Sequence, residues 1–473
     1  MIFLTDLLPH QEDAVRKLRK LPIGALFMDM GTGKTRTALE LIKERLEKSY
    51  VEKVLWLCPC SVIDNLKQDL IRHCGEVPKE IKIAGIESIS ASGRIYLELL
   101  SYVGQDKKCY LIVDESSLIK NPLAIRSKRI ENLAESCTFK LILNGTPISR
   151  NEADLYQQFK LLDWTILGYR SYYTFAANHL EFKEVRQGSR KIKTKQIVRC
   201  LNTGYLASKI EPYTYQIKKD ECFKLPEKKY HFVPCHMTQE QSKAYRQAKD
   251  EFLMQVDELR SETIYRFFTA LQHVTSGRTV KDHEGKMIVK NLFEDWRDNP
   301  RIVCLQRLVQ EIDGKCIIFA KYKQEIEEIE AMLTESGKSW IEFTGQISIK
   351  DRDRALEKFK DDTQFLIANK TCGAFGLNLQ HCHNIIFYSN DFNYATRLQS
   401  EDRVHRLGQK EVCHIYDIVM KDTIDEFIDD NLGKKGGLLK AFKKEIEEMK
   451  KKKKGKMKNE QKIHRQDSVS SSP

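Results

Sequence analysis

The sequence contains no run of about 18 apolar residues, the length a helix needs to cross a bilayer, so no membrane span is expected. Its opening residues, MIFLTDLLPHQED, have no basic segment ahead of the apolar ones, which argues against a secretory leader. Disulfide logic is missing too. The 13 cysteines are scattered and odd in number, which suits free thiols in a reducing intracellular compartment. Two tight clusters of metal-ligating type, Cys58 with Cys60 and His381 to His383, are too closely spaced for structural zinc and lie beside expected strands. No internal repeat is visible. Strong charge is also absent from most of the chain. Of a formal net +12, residues 433–473 contribute +9, from 14 Lys and Arg against 5 Asp and Glu, leaving +3 for the rest. Its last stretch, KKKKGKMKNEQKIHRQDSVSSSP, has almost no apolar residues, and the segment is expected to be disordered. Two readings of it stay open, a solvated end and a nucleic-acid-binding arm.

What is present is a chain of 473 residues, enough for two or three domains, with 41% hydrophobic and 31% charged residues, as in ordinary proteins with buried cores. Short β-rich apolar runs alternate with helical patterns. KVLWL (53–57), CYLIV (109–113), KLIL (140–143), CIIF (316–319), FLIA (365–368) and NIIFY (384–388) read as buried parallel strands. TALELIKERLEK and EIEEIEAMLTES read as helices between them. This alternation predicts α/β, doubly wound parallel-sheet domains. The strands fall before residue 145 and after residue 315, and the stretch between is rich in helix formers, aromatics and charge. The expected organisation is a first lobe over 1–150, a largely helical insertion and link over 151–295, a second lobe over 296–432 and the basic segment 433–473. Within the insertion, the aromatic-rich Trp164 to Phe175 reads as helical core and not as a base-stacking platform.

Residues 28–35, MDMGTGKT, follow an apolar strand pattern, IGALFM, and precede a helical one. Gly31, Gly33, Lys34 and Thr35 stand where a phosphate-binding loop would have them, although Met28 occupies the place of its first glycine. Such a loop presents backbone N–H groups and a helix N-terminus to phosphates. Lys34 would reach the β- and γ-phosphates, and the Thr35 hydroxyl would hold Mg²⁺. Met28, Asp29, Met30, Gly31, Thr32 and Gly33 complete the candidate nucleotide cradle. Asp114 and Glu115 end the CYLIV strand. One carboxylate there can hold Mg²⁺ while its neighbour orients or deprotonates a water. Downstream, QSEDRVHRLGQ (399–409) places Arg403 and Arg406 three apart, on one face if the segment is helical. They could bring finger charge to a γ-phosphate held by the other lobe.

Taken in order, these stretches resemble the Swi/Snf-type ATPases of helicase superfamily two. LLPHQEDAV, with Gln11, resembles the adenine-reading Q motif. MDMGTGKT is similar to motif I, LCPCSVIDNLKQDL to motif Ia, DESSLIKN to motif II, and LNGTPISRN to motif III. KCIIFAKYKQEIEEI resembles motif IV, TCGAFGLNLQ motif V, and QSEDRVHRLGQ motif VI. The resemblance covers residues 8–430 and is most specific in motifs III, V and VI. It implies two RecA-like lobes that close on ATP, with ATP and Mg²⁺ as cofactors, and movement along double-stranded DNA. It further implies nucleotide contacts from Gln11, Asp114, Gly376 and Gln399, finger charges from Arg403 and Arg406, and coupling to DNA through Thr146 and Asn378. A bare motor of minimal phage, viral or bacterial form is expected, acting as a monomer on DNA, remodelling protein–DNA or branched DNA structures and meeting other DNA-bound proteins. DESS stands where the family has DEAH. The competing readings are an RNA helicase of the same superfamily, against which DESS and NGTP speak, a nucleotide-fold binding module without catalysis, and the motor subunit of a restriction system.

If the basic segment tethers the chain to nucleic acid, deleting residues 450–473 should weaken duplex binding most at low salt. It should also flatten the plot of log affinity against log salt, since each neutralised phosphate contributes about 0.9 to that slope. A salt titration of affinity checks this, and an unchanged slope would leave the segment as a solvated end.

Overall fold

In a computed structural model, the described residues are 1–145, 147, 152–187, 192–256, 261–345, 347, 349–369, 379–390, 394–432 and 449. Sixteen strands are named in chain order: β1 (Ile23–Met28), β2 (Lys53–Cys58), β3 (Ile81–Gly85), β4 (Cys109–Val113), β5 (Phe139–Asn144), β6 (Leu180–Gln187), β7 (Ile192–Cys200), β8 (Thr214–Ile217), β9 (Lys228–Cys235), β10 (Arg278–His283), β11 (Lys286–Asn291), β12 (Cys316–Ala320), β13 (Trp340–Phe343), β14 (Phe365–Asn369), β15 (Asn384–Phe387) and β16 (Cys413–Met420). Two six-stranded sheets dominate, in the orders β3-β2-β4-β5-β1-β8 and β13-β14-β12-β15-β16-β9. Every pairing in both is parallel. Two antiparallel hairpins, β6–β7 and β10–β11, stand apart from them.

Parallel strands need crossover helices, and those helices cover both faces of the sheet. That is why the central strands are continuous apolar runs. Successive side chains of a strand point to opposite faces. In β2, Leu55 and Leu57 enter one buried cluster while Val54, Trp56 and Cys58 enter another. In β12, Ile317 and Phe319 divide from Cys316, Ile318 and Ala320 in the same way. Each sheet is therefore the middle layer of a helix–sheet–helix sandwich. The two RecA-like lobes expected from the sequence are these two sandwiches. Among the described residues no helix is long and apolar enough to cross a membrane.

The middle of the chain is helical in part, with helices such as Asp154–Leu162, Gln239–Met254 and Ser261–Thr275, but it does more than insert between the lobes. It supplies the edge strand of each large sheet, β8 to the first and β9 to the second. These strands escaped the sequence reading because TYQI is too short to show a pattern, and KKYHFVPC is half-exposed and carries polar residues. The helical parts also divide. Leu155, Phe159, Phe175, Leu180 and Leu206 pack into the first lobe's core. Phe252, Phe267 and Phe268 pack with Ile424 and Ile428 of the last helix, Ile424–Leu432. Within Trp164 to Phe175, Phe175 is fully buried among Tyr156, Tyr169 and Tyr172, whereas the Trp164 ring lies at the surface under the Arg170 guanidinium.

One buried ion pair fixes that last helix. Arg301, 1% exposed, reaches Asp425 at 2.5 Å and the Ile418 carbonyl at 2.9 Å, while Thr275 donates to the other oxygen of Asp425. Removing one partner strands a buried charge, which typically costs about 3–5 kcal/mol. Asp425→Ala should therefore lose about that much stability in urea unfolding. Replacing both residues by Met and Leu should recover most of it.

Candidate functional site

Three neighbouring strands of the first sheet, β4, β5 and β1, deliver the candidate motifs, and the edge strand β8 adds a fourth chain segment. Phe27 pairs with Asn144 across β1–β5, and Met28 with Ile217 across β1–β8. Asp114, Gly145, Asp29 and Lys219 consequently emerge side by side from one sheet edge. In open α/β sheets the crevice outside the strand carboxyl ends is where ligands bind.

The loop after β1 has both its glycines in the left-handed region, Gly31 at φ +79° and Gly33 at φ +85°. Gly33 is the N-cap of the helix Lys34–Glu47. A methyl group built on Gly33 would lie 2.0 Å from Nε2 of Gln11. Gln11 itself is spent on the loop. Its Nε2 donates to the Thr32 carbonyl at 3.1 Å, and its Oε1 accepts from the Leu8 N–H at 2.9 Å. His10 adds a second contact to the Thr32 carbonyl at 2.8 Å. Gln11 thus braces the cradle, with both ends of its amide engaged inside the protein. Thr32 Oγ1 donates to the Asp29 carbonyl at 2.7 Å, which tightens the turn further. Met28 closes β1 fully buried, so it serves as core where the motif would have glycine. Lys34 Nζ donates to the Met28 and Asp29 carbonyls at 2.8 and 3.2 Å. Met30 packs over Gly145, where a methyl group would lie 3.4 Å from its Cγ and 3.7 Å from Lys34 Nζ. Thr35 is half-buried in the first turn of the helix.

Asp114 continues β4 through its N–H to the Leu57 carbonyl at 2.7 Å, and its Oδ1 accepts the Glu115 N–H at 2.9 Å. Desolvation, reinforced by the neighbouring Glu115 charge, raises the Asp114 carboxyl to about 7, and Lys34 opposes the rise. Glu115 sits at φ +49°, ψ 51°, a left-handed conformation that costs a non-glycine residue roughly 1–2 kcal/mol. Ser116, where DEAH has alanine, donates to Gln158 Oε1 at 2.6 Å and accepts from Asn144 Nδ2 at 3.3 Å. Gln158 in turn donates to the Pro147 carbonyl at 2.9 Å. A polar chain, buried at Ser116, Asn144 and Gln158 and half-buried at Pro147, therefore joins motif II to motif III. The sequence offered no signal for Gln158, which lies outside every motif.

The second lobe meets this edge through the helix Tyr394–Val404 and the turn after it. Arg403, 8% exposed, lies close enough to Glu115 and Arg406 to feel both charges, and burial depresses its guanidinium to about 10. Arg406 is depressed by burial and supported by Asp69 of the first lobe, and its Cβ lies 3.8 Å from a methyl group built on Gly31. The two arginines thus approach the loop and motif II from across the cleft. Gln399 sits half-buried one turn before Arg403. Thr146, Gly376 and Asn378 lie outside the described residues. Among the described residues no three His, Cys, Asp or Glu side chains gather as a metal cluster, so a cation at Asp114 would draw on the Thr35 hydroxyl and on phosphate oxygens.

Residues 78–286 match the SNF2-related domain, residues 300–408 the helicase conserved C-terminal domain, and residues 4–149 the res subunit of type III restriction enzymes. The chain belongs to the Swi/Snf-type, helicase-like ATPases. This Swi/Snf-type core is similar to an uncharacterised ATP-dependent helicase of Mycoplasma pneumoniae, 24% identical over 451 residues, covering 89% of this chain and 41% of the relative. It is likewise similar to the uncharacterised ATP-dependent helicase YqhH of Bacillus subtilis, 23% identical over 453 residues, covering 89% of this chain and 76% of that one. The chain thus spans about two fifths of the mycoplasma relative's length. A Sulfolobus solfataricus SWI2/SNF2 ATPase core solved in complex with dsDNA aligns over 93% of each chain at 21% identity, with a TM-score of 0.41.

Two outcomes follow from the Swi/Snf-type core's geometry. Gly33→Ala combines a left-handed φ with a clash against Gln11, so it should weaken binding of a fluorescent ATP analogue at least tenfold in a titration. Asp114→Asn should separate stability from function. The folded chain holds the Asp114 proton more tightly than the unfolded chain does. Ionising it therefore costs stability as pH rises from the usual carboxylate range through about 7. The Asn variant should be more stable than wild type at pH 8, by about 1 kcal/mol, and no more stable near pH 4. Thermal unfolding at the two pH values measures this.

Proposed function

We propose that this chain is a DNA-dependent ATPase that uses ATP hydrolysis to move along double-stranded DNA, remodelling protein–DNA or branched DNA structures as it goes. The observation that carries the reading is the split site. Lys34 follows β1, and Asp114 and Glu115 follow β4, two strands of one sheet with β5 between them, and Arg403 and Arg406 face them from the other lobe. A site divided in this way is complete only when the lobes are together, which is the arrangement a motor needs to convert hydrolysis into relative movement.

In this reading Gly31, Thr32 and Gly33 cradle the phosphates with backbone N–H groups and the helix N-terminus. Lys34 exchanges its loop carbonyls for the β- and γ-phosphate oxygens. Mg²⁺ fits the donors present, since Thr35 and Asp114 offer hard oxygen ligands and desolvation makes the Asp114 carboxylate favour a cation. When bound, the ion would neutralise charge on the phosphates. Glu115 orients the attacking water and accepts its proton, with its backbone already held in the required turn. Arg403 and Arg406 offset the charge that develops on the transferred phosphoryl group. Thr146 and Asn378 carry the state of the site to the DNA track, and the Ser116–Gln158 hydrogen bond supports that link from the motif II side.

The experiment is steady-state ATP hydrolysis with duplex DNA, single-stranded DNA and RNA in parallel, together with displacement of a triplex-forming strand. Duplex DNA should stimulate most, and displacement should require ATP. Equal stimulation by RNA, with unwinding of short RNA duplexes, would favour the RNA helicase. No hydrolysis under any condition would leave the binding module. Glu115→Gln should keep nucleotide binding and nearly abolish turnover. Arg403→Ala should lower kcat on the order of 10³-fold with little change in nucleotide affinity.

A further inference from the structure

The link between the lobes contains a buried lysine that none of the helicase motifs accounts for. Lys219 follows β8 and is 8% exposed. Its backbone N–H donates to Oδ2 of Asp29, in the phosphate loop, at 3.0 Å. Its side chain runs the other way. Nζ reaches Oδ1 of Asp402 at 2.5 Å and the His405 carbonyl at 2.6 Å, both in the second lobe. Between these ends, Lys219 Cε and Arg406 Cβ each lie 3.8 Å from a methyl group built on Gly31. One residue therefore spans from the candidate phosphate loop to the short segment, 402–406, that carries both candidate finger arginines.

We infer that Lys219 is a positioning residue that sets the distance between the phosphate loop and the arginine fingers. A buried ammonium is costly unless it is paired, and the partners of this one belong to the opposite lobe. Asp402 is the immediate neighbour of Arg403, so the ion pair holds the last turn of the finger helix against the loop. The end of the link and the start of β9 hold the same helix and the turn after it. Lys228 and Tyr230 both reach Oε2 of Glu401 at 2.9 Å, and the Pro226 carbonyl meets Nε2 of His405 at 2.8 Å. Without the Lys219 side chain the finger segment stays attached to the link but is no longer referenced to the loop. A displacement of about 1 Å at a reacting centre can lower a rate on the order of 10²-fold.

This inference rests on Arg403 and Arg406 acting as fingers, and the test separates the two. Lys219→Met, Asp402→Asn, the double variant, Lys219→Arg and Arg403→Ala are compared in the full chain for kcat and KM of ATP hydrolysis, basal and with duplex DNA. Thermal unfolding is followed alongside. Lys219→Met should lower kcat about 10- to 100-fold with KM within about threefold of wild type. Asp402→Asn, at a partly exposed side chain, should lose a similar factor without loss of fold. The double variant should be no worse than the more impaired single one, and Lys219→Arg should recover most of the rate. A wild-type kcat in Lys219→Met, or losses that multiply in the double variant, would overturn the inference. If Arg403→Ala hydrolyses ATP normally, the finger reading falls and the inference with it. If Arg403→Ala is inactive while Lys219→Met is fully active, the inference alone falls.

Discussion

Three cations, the buried Lys219 and Arg403 and the half-buried Arg406, lie where the two lobes meet, and burial opposes the charge on each. An ammonium or guanidinium withdrawn from water needs compensation from carboxylates, carbonyls or an anionic ligand. Here the protein's share comes across the cleft. Asp402 serves Lys219, Asp69 supports Arg406, and Glu115 lies within electrostatic reach of Arg403. The relative placement of the lobes and the electrostatics of the site are therefore one problem. A polyphosphate entering between the lobes would bring several negative charges to a cleft already rich in positive ones, and parting the lobes would return those cations to solvent.

The first lobe holds its half of the site with a different device. Hydrogen bonds immobilise the loop, from Gln11 and His10 to the Thr32 carbonyl, and others join Ser116, Asn144 and Gln158 behind motif II. These groups are buried and hydrogen-bonded to one another, so a small displacement at motif II is felt at Pro147, where motif III begins to leave the sheet. Serine at position 116 is thus an active member of the connection. An alanine there could not bond to Gln158. The departure from DEAH changes the chemistry of the link between the motifs and keeps the link itself.

The central strands were legible because burial on both faces leaves an unbroken apolar run, as in CYLIV and CIIF, and the two-lobe α/β architecture followed from their alternation with helices. The edges were not legible. IKIAG, WIEF, TYQI and KKYHFVPC are half-buried or carry charge, because an edge strand has one side toward solvent. In the site, the loop glycines, Lys34, Asp114 and Glu115 could be read because short spacing and local backbone demands define them. Lys219 and Gln158 could not. Their partners lie 183 and 42 residues away, and nothing in a local pattern records a contact of that kind. Gln11 shows the intermediate case, a residue found by its motif whose bonds here are to the cradle.

The chain passes from one sheet to the other once, between β8 and β9, and each of these is an outermost strand. Residues 218–227 are all that lies between them. Drawn out fully at about 3.5 Å per residue they would reach roughly 35 Å, and their anchorage to Asp29 through Lys219 and to His405 through Pro226 shortens that span. The lobes are therefore leashed through β8 and β9. Any parting can carry these two strands no farther apart than that segment reaches, a limit that β3 and β13, at the opposite ends of the two sheets, do not share directly.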